Sequence, residues 1–208
     1  MARVDDYINA KKLAVSQLAT LNYQEIADRT GFFRDTDDSY RIQFLNRTYR
    51  VTLPEFDFSD TQALDGSGPI EIPLQEQVLI LHYMMAQAPV TPWGKWVAYR
   101  EIPGASFYFE PFTKRAVVPL KNIFGNNLVG FKTAAEKLCG KPISEGDAGF
   151  EFLVFPKIPI RLILWEGDEE FAAEGTILFD ESIGQLLSAE DVAWLAGMLV
   201  YRLAALSK

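Results

Sequence analysis

The stretch FEFLVFPKIPIRLILWEGDEEFAAEGTILFD, which runs from Phe150 to Asp180, decides the fold that we predict for this chain. Two apolar runs within it, residues 150–155 and 160–165, have the length of strands. The link between them is bounded by two prolines and is too short for a crossover helix. The two strands should therefore pair antiparallel at the centre of a sheet. Residues 176–179 predict a third strand.

The remainder of the chain predicts helices and a hairpin around this sheet. Asn22 and Glu25 resemble a capping box, and Gly31 stands where a helix would end, so a short helix is expected between them. Pro119 should break or kink the helical pattern near Val118. In chain order, the predicted segments are N-terminal helices over 1–35, a hairpin over 39–53 that turns at Asn46-Arg47, a loop over 54–73, mostly helical structure with one strand (96–102) over 74–140, the central strands and an acidic turn over 149–180, and a C-terminal helix over 188–206.

We therefore predict a single α+β domain over residues 1–208. Its largely antiparallel central sheet should hold about five to six strands packed against several helices. The C-terminal helix is apolar almost all round, which is typical of a helix deep in a core or in an oligomer interface. A homo-oligomer formed through this helix is thus one expectation.

Composition and charge are those of a globular protein and exclude some partners. Hydrophobic residues make up 49% of the chain and charged residues 23%, which are ordinary values. The formal net charge of −8, without a basic patch, should repel phosphate backbones, so we expect no nucleic-acid partner. No signal-peptide core and no apolar run of membrane-spanning length is present, which favours a cytoplasmic protein without a membrane partner.

Imidazole and thiol chemistry would each depend on a single side chain. His82 is the only histidine and the candidate catalytic base, although a hydrogen-bonded core histidine is the interpretation that we favour on an apolar helix. Cys139 is the only cysteine, so we expect no intramolecular disulfide, no zinc site and no iron–sulfur cluster of the chain's own. Its place at a predicted helix C-terminus, where the dipole disfavours a thiolate, indicates a structural thiol.

The acidic turn after the second central strand offers carboxylates for a site. Asp168, Glu169, Glu170 and Asp180 are the candidate ligands for a hard cation, since Mg²⁺ and Ca²⁺ prefer clustered oxygens. Asp168 and Glu170, with His82, are the candidate catalytic residues for acid–base work. A solvated turn, with one carboxylate capping backbone N–H groups, is the alternative that we favour.

A group of aromatic residues gives the candidate cofactor-binding site. Trp93, Trp96 and Tyr99 lie close together in the sequence and next to Arg100. They could form an aromatic wall for a flat ligand, although the residues indicate no particular cofactor. Packing of these rings in the core is the alternative that we favour.

Several linked motifs resemble an uncharacterised prokaryotic family, domain of unknown function 3786. They are FPKIP at 155–159, LWEGDEEF at 164–171, LFDES at 178–182 and LSAED at 187–191, with further likeness at 81–83, 96–100 and 137–140. Two departures are Ala172, where proline is common in the family, and Cys139, where a glycine is common. The resemblance implies a protein of anaerobes and relatives that are joined to iron–sulfur modules. Any such cluster would belong to a partner of this chain.

Three functions are compatible with these observations. The first, which we favour, is a non-catalytic binding module for a small molecule or cofactor, or for a redox protein partner, in anaerobic metabolism. The second is a metal-dependent hydrolase or lyase that uses the acidic turn. The third is an oligomeric scaffold protein.

Overall fold

The computed structural model describes residues 4–61, 71–87 and 91–207, which form two compact units, Met1–Val90 and Thr91–Lys208. Each unit contains helices and an antiparallel sheet, so the predicted α+β class is confirmed. The strands are divided between two sheets, of four strands and five strands, rather than gathered in one central sheet. The assignment of residues 1–208 to a single domain stays a prediction.

The helices of the first unit follow their sequence signals. They are α1 (Val4–Leu18), α2 (Tyr23–Thr30) and α3 (Leu74–Met84). Asn22 is the N-cap of α2, where its side chain accepts hydrogen bonds from the backbone N–H groups of Gln24 and Glu25. Gly31 ends this helix with a φ of 76°, the left-handed conformation that favours glycine. Lys11 of α1 donates a 2.8 Å hydrogen bond to Gln77 of α3 and joins these two helices.

The sheet of the first unit has the strand order β1-β2-β3-β4. Its strands are β1 (Phe33–Thr36), β2 (Ser39–Phe44), β3 (Arg47–Thr52) and β4 (Asp57–Asp60). The β2–β3 pair confirms the predicted hairpin, but its turn lies one residue earlier, at Leu45-Asn46. Leu45 takes the positive φ, 52°, that two-residue hairpin turns favour, and its side chain is buried in the core.

The predicted loop over residues 54–73 is wrong in part. Asp57–Asp60 forms the edge strand β4, which pairs with β3, and α3 then begins at Leu74. The sequence hides this strand because only Phe58 is apolar within it and glycines follow closely. Residues 62–70 of the predicted loop lie outside the described residues.

The sheet of the second unit is built on the stretch that decided the prediction. Its order is β5-β9-β8-β7-β6, so β8 is central. The strands are β5 (Trp96–Ala98), β6 (Lys141–Ile143), β7 (Ala148–Phe155), β8 (Ile158–Trp165) and β9 (Glu174–Asp180). Antiparallel pairing of β7 with β8, and of β8 with β9, confirms the three predicted strands. The strand predicted over 96–102 ends at Ala98, because Glu101 accepts a 2.7 Å hydrogen bond from the Ala98 N–H and closes a 3₁₀ turn.

The helices of the second unit include the predicted kink. They are α4 (Ala105–Phe112), α5 (Val118–Phe124), α6 (Leu128–Lys137) and α7 (Ala189–Leu206). A π-helical turn, Thr113–Val117, joins α4 to α5. Pro119 has no N–H to donate to the Arg115 carbonyl four residues earlier, and the wider π turn absorbs this loss next to Val118.

The C-terminal helix α7 is the core helix of the second unit. Ser188 caps it by accepting a 3.1 Å hydrogen bond from the Asp191 N–H. One side of α7 packs on α4, α5 and α6, and its side chains from Val192 to Leu203 are mostly buried. Tyr201 is the large apolar residue that this helix exposes, at 58%. The apolar character of α7 is thus explained by burial inside the unit, and oligomerisation through it stays a prediction.

Within the described ranges, no helix combines the length and apolar character that a membrane crossing requires.

Candidate functional site

The acidic turn between β8 and β9 is folded by one of its own carboxylates. Oδ1 of Asp168 accepts hydrogen bonds of 2.8 and 2.7 Å from the backbone N–H groups of Glu170 and Phe171. The Asp168 N–H donates in turn to the Phe171 carbonyl at 2.9 Å. These two backbone donors, Phe171 first, lower the pKa of Asp168 below its ordinary value. The carboxylate thus stays ionised and closes the turn, while Glu169 and Glu170 are exposed to solvent.

The segment that follows this turn lies directly against the end of helix α5. A Cβ atom on Gly125 would come within 2.6 Å of the Ala173 Cβ, and one on Gly167 within 2.6 Å of the Ala173 N. Real Cβ atoms do not approach so closely, so both positions require glycine. The acidic turn, the end of α5 and the start of α6 are thereby held together in one place.

A polar groove with a volume of about 550 Å³ opens at this junction. Its lining is provided by α5, by the short link to α6 and by the segment after the acidic turn. The residues are Lys121, Asn122, Ile123, Asn126, Asn127, Ala172 and Ala173. We call this feature the acidic-turn groove.

The acidic-turn groove is lined mainly by hydrogen-bonding groups. Asn122 and Asn126 are exposed, and each carboxamide offers both donors and an acceptor. Asn127 is the N-cap of α6, where its Oδ1 accepts a 3.0 Å hydrogen bond from the Gly130 N–H. The ammonium group of Lys121 lies 3.0 Å from a carboxylate oxygen of Glu174. The lining thus suits a neutral or weakly charged polar molecule, and it includes no nucleophile and no acid–base pair.

Asp180 lies at the other end of β9 and has a different role from that of the turn. The seven residues of β9 separate it from the acidic turn by about 20 Å at the usual rise per strand residue. Its Oδ1 accepts hydrogen bonds from the Trp93 N–H (2.9 Å), the Ser182 N–H (3.1 Å) and the Ser182 hydroxyl (2.6 Å). Its Oδ2 accepts from the Gly94 N–H at 2.7 Å. Both oxygens of this buried carboxylate are therefore occupied by protein donors.

The hydrogen bonds to Asp180 outweigh its burial. Burial alone raises the pKa of this carboxyl. The hydrogen bonds from Ser182, Trp93 and Gly94 together lower the pKa by more than burial raises it, so the net shift is downward. An ionised Asp180 thus fixes the segment that leads into β5.

Within the described residues, no group of three or more His, Cys, Asp or Glu side chains is placed to hold a metal ion. The metal-ligand role of Asp168, Glu169, Glu170 and Asp180 stays a prediction, and the structure places Asp180 away from the other three.

The four aromatic-site candidates have separate surroundings. Tyr99 is buried, donates a 2.7 Å hydrogen bond to the Ala189 carbonyl and stacks on Phe112 with ring centroids 4.0 Å apart. Burial raises the pKa of Tyr99 to about 12, so it is a neutral core side chain. Trp93, in contrast, is 53% exposed.

The other two candidates of this set each take part in a cation–π contact. The Arg161 guanidinium lies 3.9 Å from the ring centre of Trp96. The Arg100 guanidinium lies 3.7 Å from the ring centre of Phe109. Tyr99 thus lies in the core while Trp93 is exposed, and the cofactor-binding role of the four residues stays a prediction.

His82 and Cys139 lie outside the acidic-turn groove. His82 is a half-buried residue of α3, in the first unit, between the buried Leu81 and Tyr83. Cys139 is exposed and follows α6 with a φ of 56°. The Cys139 and Gly140 N–H groups donate to carbonyls of the last turn of α6, so this position is a helix C-cap that favours glycine.

Sequence reasoning missed the asparagines of the acidic-turn groove. The run Asn122-Ile-Phe-Gly-Asn126-Asn127 carried a usable signal, since a glycine followed by asparagines is typical of a helix end and a new N-cap. The signal indicates a helix boundary and says nothing of the acidic turn that packs there. Tertiary contacts, of Ala173 with Gly125 and of Asn126 with Gly167, bring the two together.

Comparison with known proteins identifies a family over most of the chain. The model of the family described as domain of unknown function (DUF3786) matches residues 22–202, which include both units apart from their ends. No functionally curated protein and no solved structure matches the chain significantly.

Proposed function

The chain belongs to the DUF3786 family, and we propose that it is a non-catalytic binding module that holds a polar small molecule or cofactor in the acidic-turn groove. We place this activity in the cytoplasm, as the sequence predicts, and in anaerobic metabolism, as the family resemblance implies. The observation that carries the proposal is that the turn of the motif LWEGDEEF closes on itself over residues 168–171 and lies against the asparagine-lined end of α5.

The lining of the groove supports binding rather than catalysis. Carboxamides recognise ligands through paired donors and acceptors, and Lys121 is already ion-paired with Glu174. A ligand with amide, hydroxyl or carboxyl groups would replace the water on Asn122 and Asn126. Corrinoids, and the ring and ribose or ribityl parts of nucleotides and flavins, carry such uncharged polar groups, so these three classes are the first compounds to screen.

The test is a thermal-shift and calorimetric screen of these three compound classes. We expect one class to bind, and binding to weaken at least about tenfold in Asn126→Leu, which removes a buried polar contact in the complex. Ala172→Trp should abolish binding by filling the groove. Gln185→Ala, which removes an exposed side-chain amide outside the lining, is the matched control and should bind as the wild type does. Absence of binding by all three classes, or equal binding by all variants, would refute the proposal.

A second candidate is the docking of a redox or iron–sulfur protein on the acidic turn. Two exposed aromatic residues, Trp165 (41%) and Phe171 (70%), flank the four carboxylates of the turn. Exposed aromatic rings next to a charged rim are common in protein interfaces. The expected partner surface is basic.

Pull-down with iron–sulfur proteins that present a basic surface would test the docking. Phe171→Ala and the double variant Glu169→Gln/Glu170→Gln should each weaken the complex, the second one more at low salt than at high salt. Phe107→Ala, at a residue that is 86% exposed, is the control. A complex that all variants form equally well would eliminate this candidate.

A further inference from the structure

The outer face of the first unit's sheet carries two arginines in a position that costs stability. Arg41 of β2 and Arg50 of β3 are direct antiparallel partners in the register. Their side chains are 54% and 47% exposed, so both guanidinium groups reach solvent on the same face. Like charges placed directly opposite each other on neighbouring strands repel. A compensating anion is therefore required beside this pair.

Asp35 of β1 provides only part of that compensation. Its Oδ1 accepts a 2.6 Å hydrogen bond from Arg41, and its Oδ2 accepts a hydrogen bond from Arg50. The Arg50 hydrogen bond is the largest contribution to a lowered pKa, so Asp35 is ionised. One negative charge thus faces two positive charges. Each guanidinium has five N–H donors, and Asp35 takes one from each.

These residues line a groove with a volume of about 570 Å³, which we call the arginine groove. Thr48, Ser59 and Thr61 complete its polar walls. The hydroxyls of Ser59 and Thr61 donate to backbone carbonyls of β3, so they hold the edge strand β4 in place. The N–H donors of Arg41 and Arg50 that Asp35 does not use are the cationic groups of this lining.

The other charge of the lining does not cancel the surplus. Asp60 also borders the arginine groove, but in the register it is the direct partner of the buried Tyr49, whereas Arg50 is opposite Ser59, so Asp60 belongs to the other face of the sheet. The chain as a whole carries a net charge of −8, which makes a surplus of guanidinium groups at one groove a local exception.

We infer that the arginine groove is a binding site for the oxyanion group of a small molecule, a phosphate or a carboxylate, held between Arg41 and Arg50. Guanidinium groups bind such groups through two parallel hydrogen bonds. The bound oxyanion would neutralise the charge that Asp35 leaves, and it would compete with Asp35 for the same donors. This site is independent of the acidic-turn groove, since it uses other residues in the other unit.

Calorimetric titration of the intact chain with inorganic phosphate, pyrophosphate and citrate tests the inference. We expect binding that weakens with added salt, and a loss of about tenfold or more in Arg41→Gln and in Arg50→Gln. Arg161→Gln is the matched control, because Arg161 is also ion-paired on a sheet, with Glu145 and Glu151, and it should leave binding unchanged. The phosphate and citrate titrations distinguish the two oxyanion classes.

Asp35→Asn separates a binding role from a structural one. If Asp35 competes with the ligand, its neutralisation should tighten binding by about two- to fivefold, whereas a purely structural cluster would lose order. Thermal unfolding of each variant checks that it is folded, and Arg41→Lys and Arg50→Lys serve in place of a glutamine variant that does not fold. No binding of any probe at 10 mM, unchanged binding in both arginine variants, or weaker binding in a folded Asp35→Asn protein would overturn the inference.

Discussion

Replacement of Asp180 should destabilise the second unit strongly, because this carboxylate is an architectural group. It is 1% exposed and accepts hydrogen bonds from the N–H groups of Trp93, Gly94 and Ser182 and from the Ser182 hydroxyl. Asparagine has nearly the same shape but keeps only one acceptor oxygen. Its NH₂ group would face a backbone N–H, and two donors that face each other cannot form a hydrogen bond.

The size of the effect follows from these contacts. Hydrogen bonds to a charged group contribute about 1.5–3 kcal/mol each, so we expect Asp180→Asn to lower the free energy of unfolding by about 2–4 kcal/mol. Asp180→Ala leaves four donors without their acceptor, two of them on the buried Ser182, and should cost more, about 4 kcal/mol. Ser182→Ala removes the hydroxyl and leaves the three N–H donors on the carboxylate, so it should cost about 1.5 kcal/mol, the lower end of that range.

Urea denaturation followed by circular dichroism measures these differences from the midpoints at constant slope. The pH dependence has a defined sign, because the folded-state pKa of Asp180 is lowered. Its contribution is complete above the unfolded pKa of about 4 and is lost as the pH falls through the folded value. The acid sensitivity of stability should therefore be smaller in Asp180→Asn. A change below about 0.5 kcal/mol in this variant, well under the range for a lost charged hydrogen bond, would refute the architectural role. Stabilisation of the wild type by Mg²⁺ or Ca²⁺ that Asp180→Asn abolishes would refute it as well.

Three further predictions concern single positions. Cys139→Gly should raise the free energy of unfolding by about 0.5–1 kcal/mol in urea denaturation. Glycine removes the strain of a φ of 56°, and this gain is larger than the entropic penalty that glycine adds. A loss of stability would contradict the helix-cap assignment. Tyr49→Phe should cost about 1–3 kcal/mol in the same assay, because the Tyr49 hydroxyl donates a 2.5 Å hydrogen bond to the buried Glu76 carboxylate; an unchanged midpoint would show that this bond contributes nothing. Asp168→Asn should speed hydrogen exchange of the Phe171 amide at neutral pH. In the wild type, this exchange should speed up relative to its intrinsic rate only below a pH of about 4, since the pKa of Asp168 is lowered. Equal protection in both proteins would show that the carboxylate does not close the turn.

The central strands could be predicted because their signals are local. Apolar runs on both sides of a proline-bounded link leave β7 and β8 no pairing other than an antiparallel one, and β8 is indeed buried along most of its length. The cap residues Asn22 and Ser188 were equally readable, since capping depends on a side chain and the next three N–H groups. These predictions needed no knowledge of distant parts of the chain.

The distribution of strands between two sheets could not be read from the sequence. A strand pattern records which face is buried but not which partner strand covers an edge, so β1, β4 and β6 left little trace. Strand β6 is only three residues long and contains a proline, and β4 has one apolar residue.

The candidate site was located only in part. The sequence predicts an acidic turn in which one carboxylate caps backbone N–H groups, and Asp168 is that carboxylate. The groove beside it depends on the contact of Ala173 with Gly125, which are 48 positions apart in the printed sequence. A close approach between two such distant small residues has no signature in a single sequence.

Nuclear magnetic resonance offers the most direct test of a binding role for the acidic-turn groove. The side-chain NH₂ resonances of Asn122, Asn126 and Asn127 report on its lining without any substitution. Titration of the labelled chain with a corrinoid, a flavin and a nucleotide should shift these resonances, together with the backbone amides of Ala172 and Ala173, for one of the three. If every ligand leaves these resonances in place, or if the shifts lie only elsewhere in the chain, the groove is not the binding site.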